Sequence, residues 1–433
     1  MAEPTNTPMP TAPPTPRSAS PAPPLPTSGG SLTSSPTTTR IPQWPHAAAA
    51  VHSQTHSRAT SLTVPVHSSG PKPIVLHLGD PVKYNPETYA EFSVLFDVVR
   101  PNAEERARPA FIAALREKRW GDFAAIFRPF WGTGGEMGNW DAELIDLLPD
   151  SVIVFASAGA GFDWADVKLL GEKGMIVLSP GGKFVAANQS KELHDMGPWA
   201  RGLAAAEAVA DFSVALIVGT FRALPYCISS AISPSSFQAA HQSATALSHN
   251  LRGHVLGLVG FGNIGQQIAQ RCFAAFGMEI TYYDIERKSG TVEAGLHARF
   301  CMTLESLIRG ADCVVLCVPS STGQIIDADS LRWFKPGARL VNVARGALVD
   351  EDALADALEQ DRLSSAALDV HADEPNVSER LKKFAGTKAL LTCHNAGGTV
   401  ETHVGFEELC MRNIMAMLNG REAITPTNLE WLK

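Results

Sequence analysis

The stretch from His254 to Asp284, HVLGLVGFGNIGQQIAQRCFAAFGMEITYYD, decides the fold. An apolar run, HVLGLV, stops at Gly260, and Gly260, Gly262 and Gly265 follow in GxGxxG spacing. A segment of helical period comes next, and a second apolar run ends in Asp284. Strand, glycine turn, helix and strand in that order open a dinucleotide-binding sheet. Gly260 permits the tight turn, Gly262 lets a pyrophosphate approach the backbone, and Gly265 lets the helix pack close to the strand. The N–H groups of Asn263 and Ile264, at the positive end of that helix, then face the phosphates. Asp284 lies 19 residues past the last glycine. A carboxylate there accepts hydrogen bonds from the ribose hydroxyls of NAD and repels the extra phosphate of NADP. Arg287 and Lys288 lie just beyond and leave room for some use of NADP, which the spacing makes the lesser cofactor.

Outward from this unit, short runs of Val, Ile and Leu alternate with longer helical stretches, the pattern of a mostly parallel sheet in an α/β protein. Before it the spacing predicts strands Ile74 to Leu78, Ala124 to Phe127, Ser151 to Phe155 and Met175 to Leu178. A long apolar helix, Leu203 to Phe221, and a polar, Ser-rich connection, Ser229 to Asn250, follow. The second part predicts six strands: His254 to Val259, Glu279 to Asp284, Cys313 to Val318, Arg339 to Val343, Ala366 to Val370 and Leu390 to Thr392. Thr399 to Leu418 reads as a helix able to pack back on the first part.

Composition sets the limits. The chain has 433 residues and a net charge of −8. Residues 1–70 hold 14 of its 30 prolines and 23 Ser or Thr, but one acidic residue, Glu3, and three arginines, Arg17, Arg40 and Arg58. Such a segment buries too little apolar surface to offset its ordering entropy, so it reads as disordered. The remaining 363 residues suit two domains. They are acidic and carry no basic block, which argues against nucleic acid or an anionic membrane as partner. No apolar run reaches ~18 uninterrupted residues, and the longest candidate, Ala204 to Thr220, is broken by Glu207 and Asp211. Seven cysteines, without a CxxC pair, read as reduced thiols in a cytoplasmic setting and offer no metal-ligand spacing. The first ten residues lack the charged-then-apolar order of a secretory signal; the Ser-rich, acid-poor extension with scattered Arg partly fits an organellar transit peptide, the alternative to a cytoplasmic setting, while its prolines oppose the amphipathic helix such peptides form.

In a parallel sheet the ligand lies beyond the carboxyl ends of the strands. Three polar residues fall there: Arg345 after RLVNVA, Glu374 shortly after AALDV, and His394 after ALLT. They suit hydride transfer to a 2-keto acid. Arginine's planar fork matches a carboxylate and polarises a keto oxygen. A histidine supplies the proton the oxygen needs, and a glutamate beside it orients the imidazole and favours its charged form. Taken singly, Arg345 and Glu374 also read as surface charges and His394 as a core histidine.

From about Lys72 to the C-terminus the sequence closely resembles the D-isomer-specific 2-hydroxyacid dehydrogenase family. VNVARGALVDEDAL resembles its arginine motif, LDVHADEP its glutamate motif and LTCHNAGG its histidine motif. The resemblance implies Arg345 on the substrate carboxylate and carbonyl, Glu374 as the histidine's partner, and His394 as acid or base. It also implies cofactor contacts at Asp369, Val343, Ala344, Pro319, Thr322 and Gly397. SAGAGFDWAD is similar to the family loop whose N–H groups hold the substrate carboxylate, which points to Ala160 and Gly161. The implied architecture is two Rossmann-like, doubly wound parallel-sheet domains: a substrate domain over 71–203 completed by 396–433, an NAD domain over 204–395, and a homodimer. Within the family VLHLGDPVKYN, IFRPF and GAGFDWADV look most like the D-mandelate or branched 2-keto-acid reductase branch.

Three departures stand out. Cys393 replaces the proline that usually precedes the histidine, which puts that loop's rigidity in question. The loop between Pro319 and Thr322 is about two residues shorter than usual. The polar insertion 183–202, with His194, Asp195, Trp199 and Arg201, reads as a surface excursion, with a lid or dimer contact as the other readings. Arg128, Phe130 and Trp131 in IFRPFW would wall the substrate pocket, Arg128 either as a second positive charge or in a structural ion pair. A rival function is an NAD(H) sensor like the C-terminal binding protein corepressors, with the same fold and little turnover; formate dehydrogenase is disfavoured because Glu374 supplies an ionisable partner. Since every site residue lies after residue 70, deleting 1–70 should leave NADH-dependent keto-acid reduction unchanged, and a tenfold fall in kcat/KM of the shortened chain would contradict it.

Overall fold

In the computed structural model, residues 71–129, 137–159, 161–162, 164–180 and 204–432 are described. The 1–70 segment, the 183–202 insertion, Phe130, Trp131 and Ala160 lie outside them. Two parallel sheets organise the rest. The first comprises β1 (Ile74–His77), β2 (Asp97–Val99), β3 (Ala125–Arg128), β4 (Val154–Ser157) and β5 (Ile176–Leu178), in the order β2-β1-β3-β4-β5. The second comprises β6 (Val255–Val259), β7 (Glu279–Tyr283), β8 (Ala298–Phe300), β9 (Cys313–Leu316), β10 (Ala338–Asn342), β11 (Leu363–Leu368) and β12 (Ala389–Leu391), in the order β12-β11-β10-β9-β6-β7-β8. Both orders reverse direction once, at β1/β3 and at β6/β9, and a crevice opens at such a switch point. The α/β, doubly wound fold is as the alternation predicts.

Strand number needs correction. The sequence predicts four and six strands, whereas the sheets have five and seven. The two extra, β2 and β8, are edge strands of three residues each, too short to show a period. The Ser-rich connection, Ser229 to Asn250, is also corrected: Pro234–Leu247 is a helix, and a further helix, Leu224–Ser230, runs into its start. Pro234 sits in the first helical turn and the Ser233 hydroxyl accepts the Ser236 N–H, so start signals outweigh the polar composition.

The helix Ala204–Phe221 is long and apolar enough to cross a membrane by length and composition alone. Instead it packs on the second sheet, where Ala210, Ile217 and Phe221 join Leu256, Leu258 and Ile268 in one buried cluster. The C-terminal helix Val400–Leu418 crosses to the first sheet, burying Cys410, Met411 and Ile414 against Val75, Phe127 and Val154. Beyond it the chain lies along β5: the Thr427 N–H donates to Val177 O, and the Asn428 side chain bonds Val177 N, Val167 O and Met175 O.

Glu407 locks that crossing. Its carboxylate is fully buried and accepts the backbone N–H groups of Lys83, Tyr84 and Asn85, at 2.7, 2.8 and 2.9 Å, just before the helix Pro86–Leu95. Truncation would strand three donors. Glu407→Ala should therefore cost about 2 to 4 kcal/mol of stability, read as a lower urea midpoint at constant m-value; an unchanged midpoint would show that water replaces the carboxylate at no cost.

Candidate functional site

The glycine turn lies at the β6/β9 switch point, and each glycine fits a different constraint. Gly260 has φ +92°, and a Cβ there would meet Cys317 O at 2.6 Å. A Cβ on Gly265 would meet Gly260 O at 2.5 Å, so helix and strand pack in contact. A Cβ on Gly262 would meet nothing within 4 Å, which leaves open space on the side where a pyrophosphate is expected. Gly262 is also the N-cap of the helix Asn263–Phe276 and brings no side-chain acceptor to its first-turn amides, including Asn263 and Ile264. This cradle fits a dinucleotide. Asp284 follows β7 and turns back to it, its Oδ2 accepting the Phe261 N–H at 2.8 Å. Backbone donors and Lys288 hold the Asp284 carboxyl below its ordinary pKa, although burial opposes them.

Arg345, Glu374 and His394 follow β10, β11 and β12, three neighbouring parallel strands. Asn342, buried near the end of β10, shapes the first turn: its Oδ1 accepts the Ala344 N–H and its Nδ2 donates to Arg345 O. A Cβ on Gly346 would overlap the carbonyl of His371 at 1.9 Å, so this turn presses directly on the glutamate loop. Glu351 accepts the Ala372 N–H and Glu374 Oε1 accepts the His371 N–H, both at 2.9 Å. Glu374 Oε2 then meets His394 Nδ1 at 2.7 Å.

Asp369 directly follows β11 and holds the histidine loop. Its carboxylate accepts Thr392 Oγ1–H, Asn395 N–H and Ala396 N–H, at 2.7, 3.0 and 2.8 Å. Both oxygens are thus turned into the loop. Among the other expected cofactor contacts, Pro319 caps a short turn, Ser320–Thr322, directly after β9. Val343 and Ala344 are buried at the end of β10, and Gly397 packs on Val209 of the long helix.

The first sheet contributes the loop after β4. A Cβ on Gly161 would lie 1.6 Å from Arg345 Nη2, so backbone from one sheet meets the guanidinium from the other. Trp164, absent from the candidates read from sequence, donates its indole N–H to Gly161 O at 3.0 Å. Arg128, buried at the end of β3, lies 4.1 Å over the Trp164 ring and donates to Ser157 Oγ. Asn342 was the more legible omission, being a polar residue inside a wholly buried strand; Trp164 carries no such signal in sequence.

Residues 214–396 match the family model for the D-isomer specific 2-hydroxyacid dehydrogenase, NAD binding domain. The chain is 32% identical over 320 residues to 4-methyl-2-oxopentanoate reductase A of Aspergillus oryzae, covering 73% of this chain and 87% of that one. It is 34% identical over 304 residues to the glyoxylate reductase of Thermococcus kodakarensis, covering 68% and 81%. Among solved structures, the apo form of Rhodotorula graminis D-mandelate dehydrogenase superposes with a TM-score of 0.74 at 38% identity, covering 82% of this chain and 98% of that one. The chain therefore belongs to the D-isomer-specific 2-hydroxyacid dehydrogenase family, an NAD-binding oxidoreductase acting on the CH–OH group of small 2-hydroxy acids and on the matching 2-keto acids.

Proposed function

We propose that this chain reduces a 2-keto acid with a bulky apolar side group to the D-2-hydroxy acid, using His394 as general acid, Glu374 as its positioning partner and Arg345 as the clamp on carboxylate and carbonyl. The observation that carries the reading is the His394 Nδ1 to Glu374 Oε2 contact of 2.7 Å on the same edge as an arginine packed against Gly161. NADH supplies the hydride when bound. Glu374 takes the Nδ1 side of the ring and thereby leaves Nε2 as the atom that passes a proton to the keto oxygen. Arg345 neutralises the carboxylate and draws charge toward the carbonyl oxygen. N–H groups of the loop around Gly161, with Ala160 in the same role, complete the carboxylate site, and Arg128 stiffens that loop through Trp164. In oxidation the same groups run in reverse, with His394 as base.

The size reading rests on two relatives: a branched keto acid is in the name of the Aspergillus oryzae reductase and mandelate in that of the Rhodotorula graminis enzyme, while glyoxylate, in the name of the Thermococcus kodakarensis reductase, is the small-substrate alternative. The sensor reading finds no support among these named reductases and dehydrogenases. The same proposal includes the homodimer. A panel of NADH oxidation over glyoxylate, hydroxypyruvate, phenylglyoxylate and 4-methyl-2-oxopentanoate tests it; higher kcat/KM for glyoxylate than for the last two would overturn the bulky-substrate reading.

His394→Asn should lower kcat by about 10² to 10⁴ with NADH affinity, followed by nucleotide fluorescence, little changed. Retained kcat would remove His394 from the proton step. Arg345→Lys loses the planar fork and should mainly raise KM for the keto acid. Gly161→Ala should do the same by displacing the guanidinium, and equal KM in both variants and the parent would separate this contact from substrate binding.

A further inference from the structure

Past β7 the chain reads Asp284, Ile285, Glu286, Arg287, Lys288, so two cations lie within four residues of the ribose-side carboxylate. Both are already paired. Lys288 Nζ sits 3.3 Å from Asp284 Oδ2. Arg287 forks onto Glu293 of the following helix, Nε to Oε1 at 2.9 Å and Nη2 to Oε2 at 2.8 Å. Glu293 is not a passive surface acid, because it also accepts the Tyr282 O–H at 2.7 Å. Tyr282 is buried in the sheet, stacks on Phe261 at 4.1 Å between ring centroids, and accepts the Lys288 N–H through its own hydroxyl. The glutamate is therefore fixed to the sheet while the arginine remains 64% exposed. Arg287 and the Tyr282 hydroxyl keep the Glu293 carboxyl down at about 2, so it stays ionised throughout the working range.

A dinucleotide with a 2′-phosphate needs a cation whose donors are open, and a guanidinium fork matches phosphate well. Here the Nε/Nη2 face of that fork is occupied by Glu293. We propose that Glu293 is a second specificity-determining residue for the nicotinamide dinucleotide: by holding Arg287 it withholds the cation that a 2′-phosphate would recruit. Asp284 repels the phosphate and engages Lys288, and Glu293 engages Arg287. An approaching 2′-phosphate thus meets two carboxylates and two cations already committed to them. The inference rests on Asp284 as the ribose-side acid. It adds a residue that touches neither ribose nor phosphate and acts through Arg287.

The test uses the full chain and two readouts, NADH and NADPH binding by nucleotide fluorescence and kcat/KM with an accepted 2-keto acid. Glu293→Gln retains the acceptor for Tyr282 but releases the charge on Arg287. It should raise the NADPH-to-NADH ratio about tenfold, the scale of a hydrogen bond to a charged group, in both readouts. The double variant E293Q/R287A should return the ratio to its starting value, and Asp284→Ser should raise it independently. If E293Q leaves the ratio unchanged while D284S raises it, the Glu293 inference is wrong and the Asp284 reading stands. A ratio unmoved by D284S overturns the Asp284 reading and the inference with it. A gain that persists in the double variant shows that Arg287 is not the cation concerned and also overturns the proposal.

Discussion

The edge that carries Arg345, Glu374 and His394 depends on one buried carboxylate, that of Asp369. The residue is 1% exposed, and its two oxygens accept one hydroxyl and two backbone N–H groups of the loop after β12, while its own carbonyl accepts the His394 N–H at 2.7 Å. A carboxylate so deep is tolerable only because its lone pairs are occupied. The same bonds hold His394 at φ +53°, in the left-handed region where a residue with a Cβ costs about 1 to 2 kcal/mol. That conformation aims the imidazole at Glu374. Cys393, in the place where the family usually has proline, therefore does not leave the loop slack, since hydrogen bonds to the next strand do what a locked φ would do.

Glycine supplies the other half of the arrangement through the absence of a side chain. At Gly346 the arginine turn presses on the backbone of His371, and at Gly161 the first sheet's loop reaches the Arg345 guanidinium. Both contacts join segments far apart in sequence, and neither has space for a methyl group. Asn342 and Glu351 then fix the two turns by accepting N–H groups that would otherwise point at solvent or at each other. Four strand-end segments from two sheets converge through close backbone approaches at Gly346 and Gly161 together with the carboxylates of Glu351, Asp369 and Glu374.

How much of this was legible in sequence follows from the range of the interactions. The glycine turn, Asp284 and the Arg345, Glu374 and His394 motifs are local patterns, and they fall on the predicted strand ends. The edge strands β2 and β8 escape because three residues with partly exposed side chains carry no readable period. The helices at Leu224–Ser230 and Pro234–Leu247 escape because serine content outweighs their start signals in a composition-based reading. Trp164 escapes for a different reason. Its indole bonds Gly161 and its ring carries Arg128, and the second of those partners is brought to it only when β3 and β4 pair.

The C-terminal helix links these local arrangements to the first sheet. The histidine loop runs directly into it, with Thr399 as N-cap accepting the Thr402 N–H. Within little more than two turns the same helix reaches Glu407, whose carboxylate gathers the backbone after β1. At the start of this stretch stands His394, whose N–H donates to Asp369 O; further along, Glu407 holds the backbone of Lys83, Tyr84 and Asn85. The second sheet and the first sheet are therefore joined by a continuous stretch of chain that two buried carboxylates hold, Asp369 at the histidine loop and Glu407 within the helix.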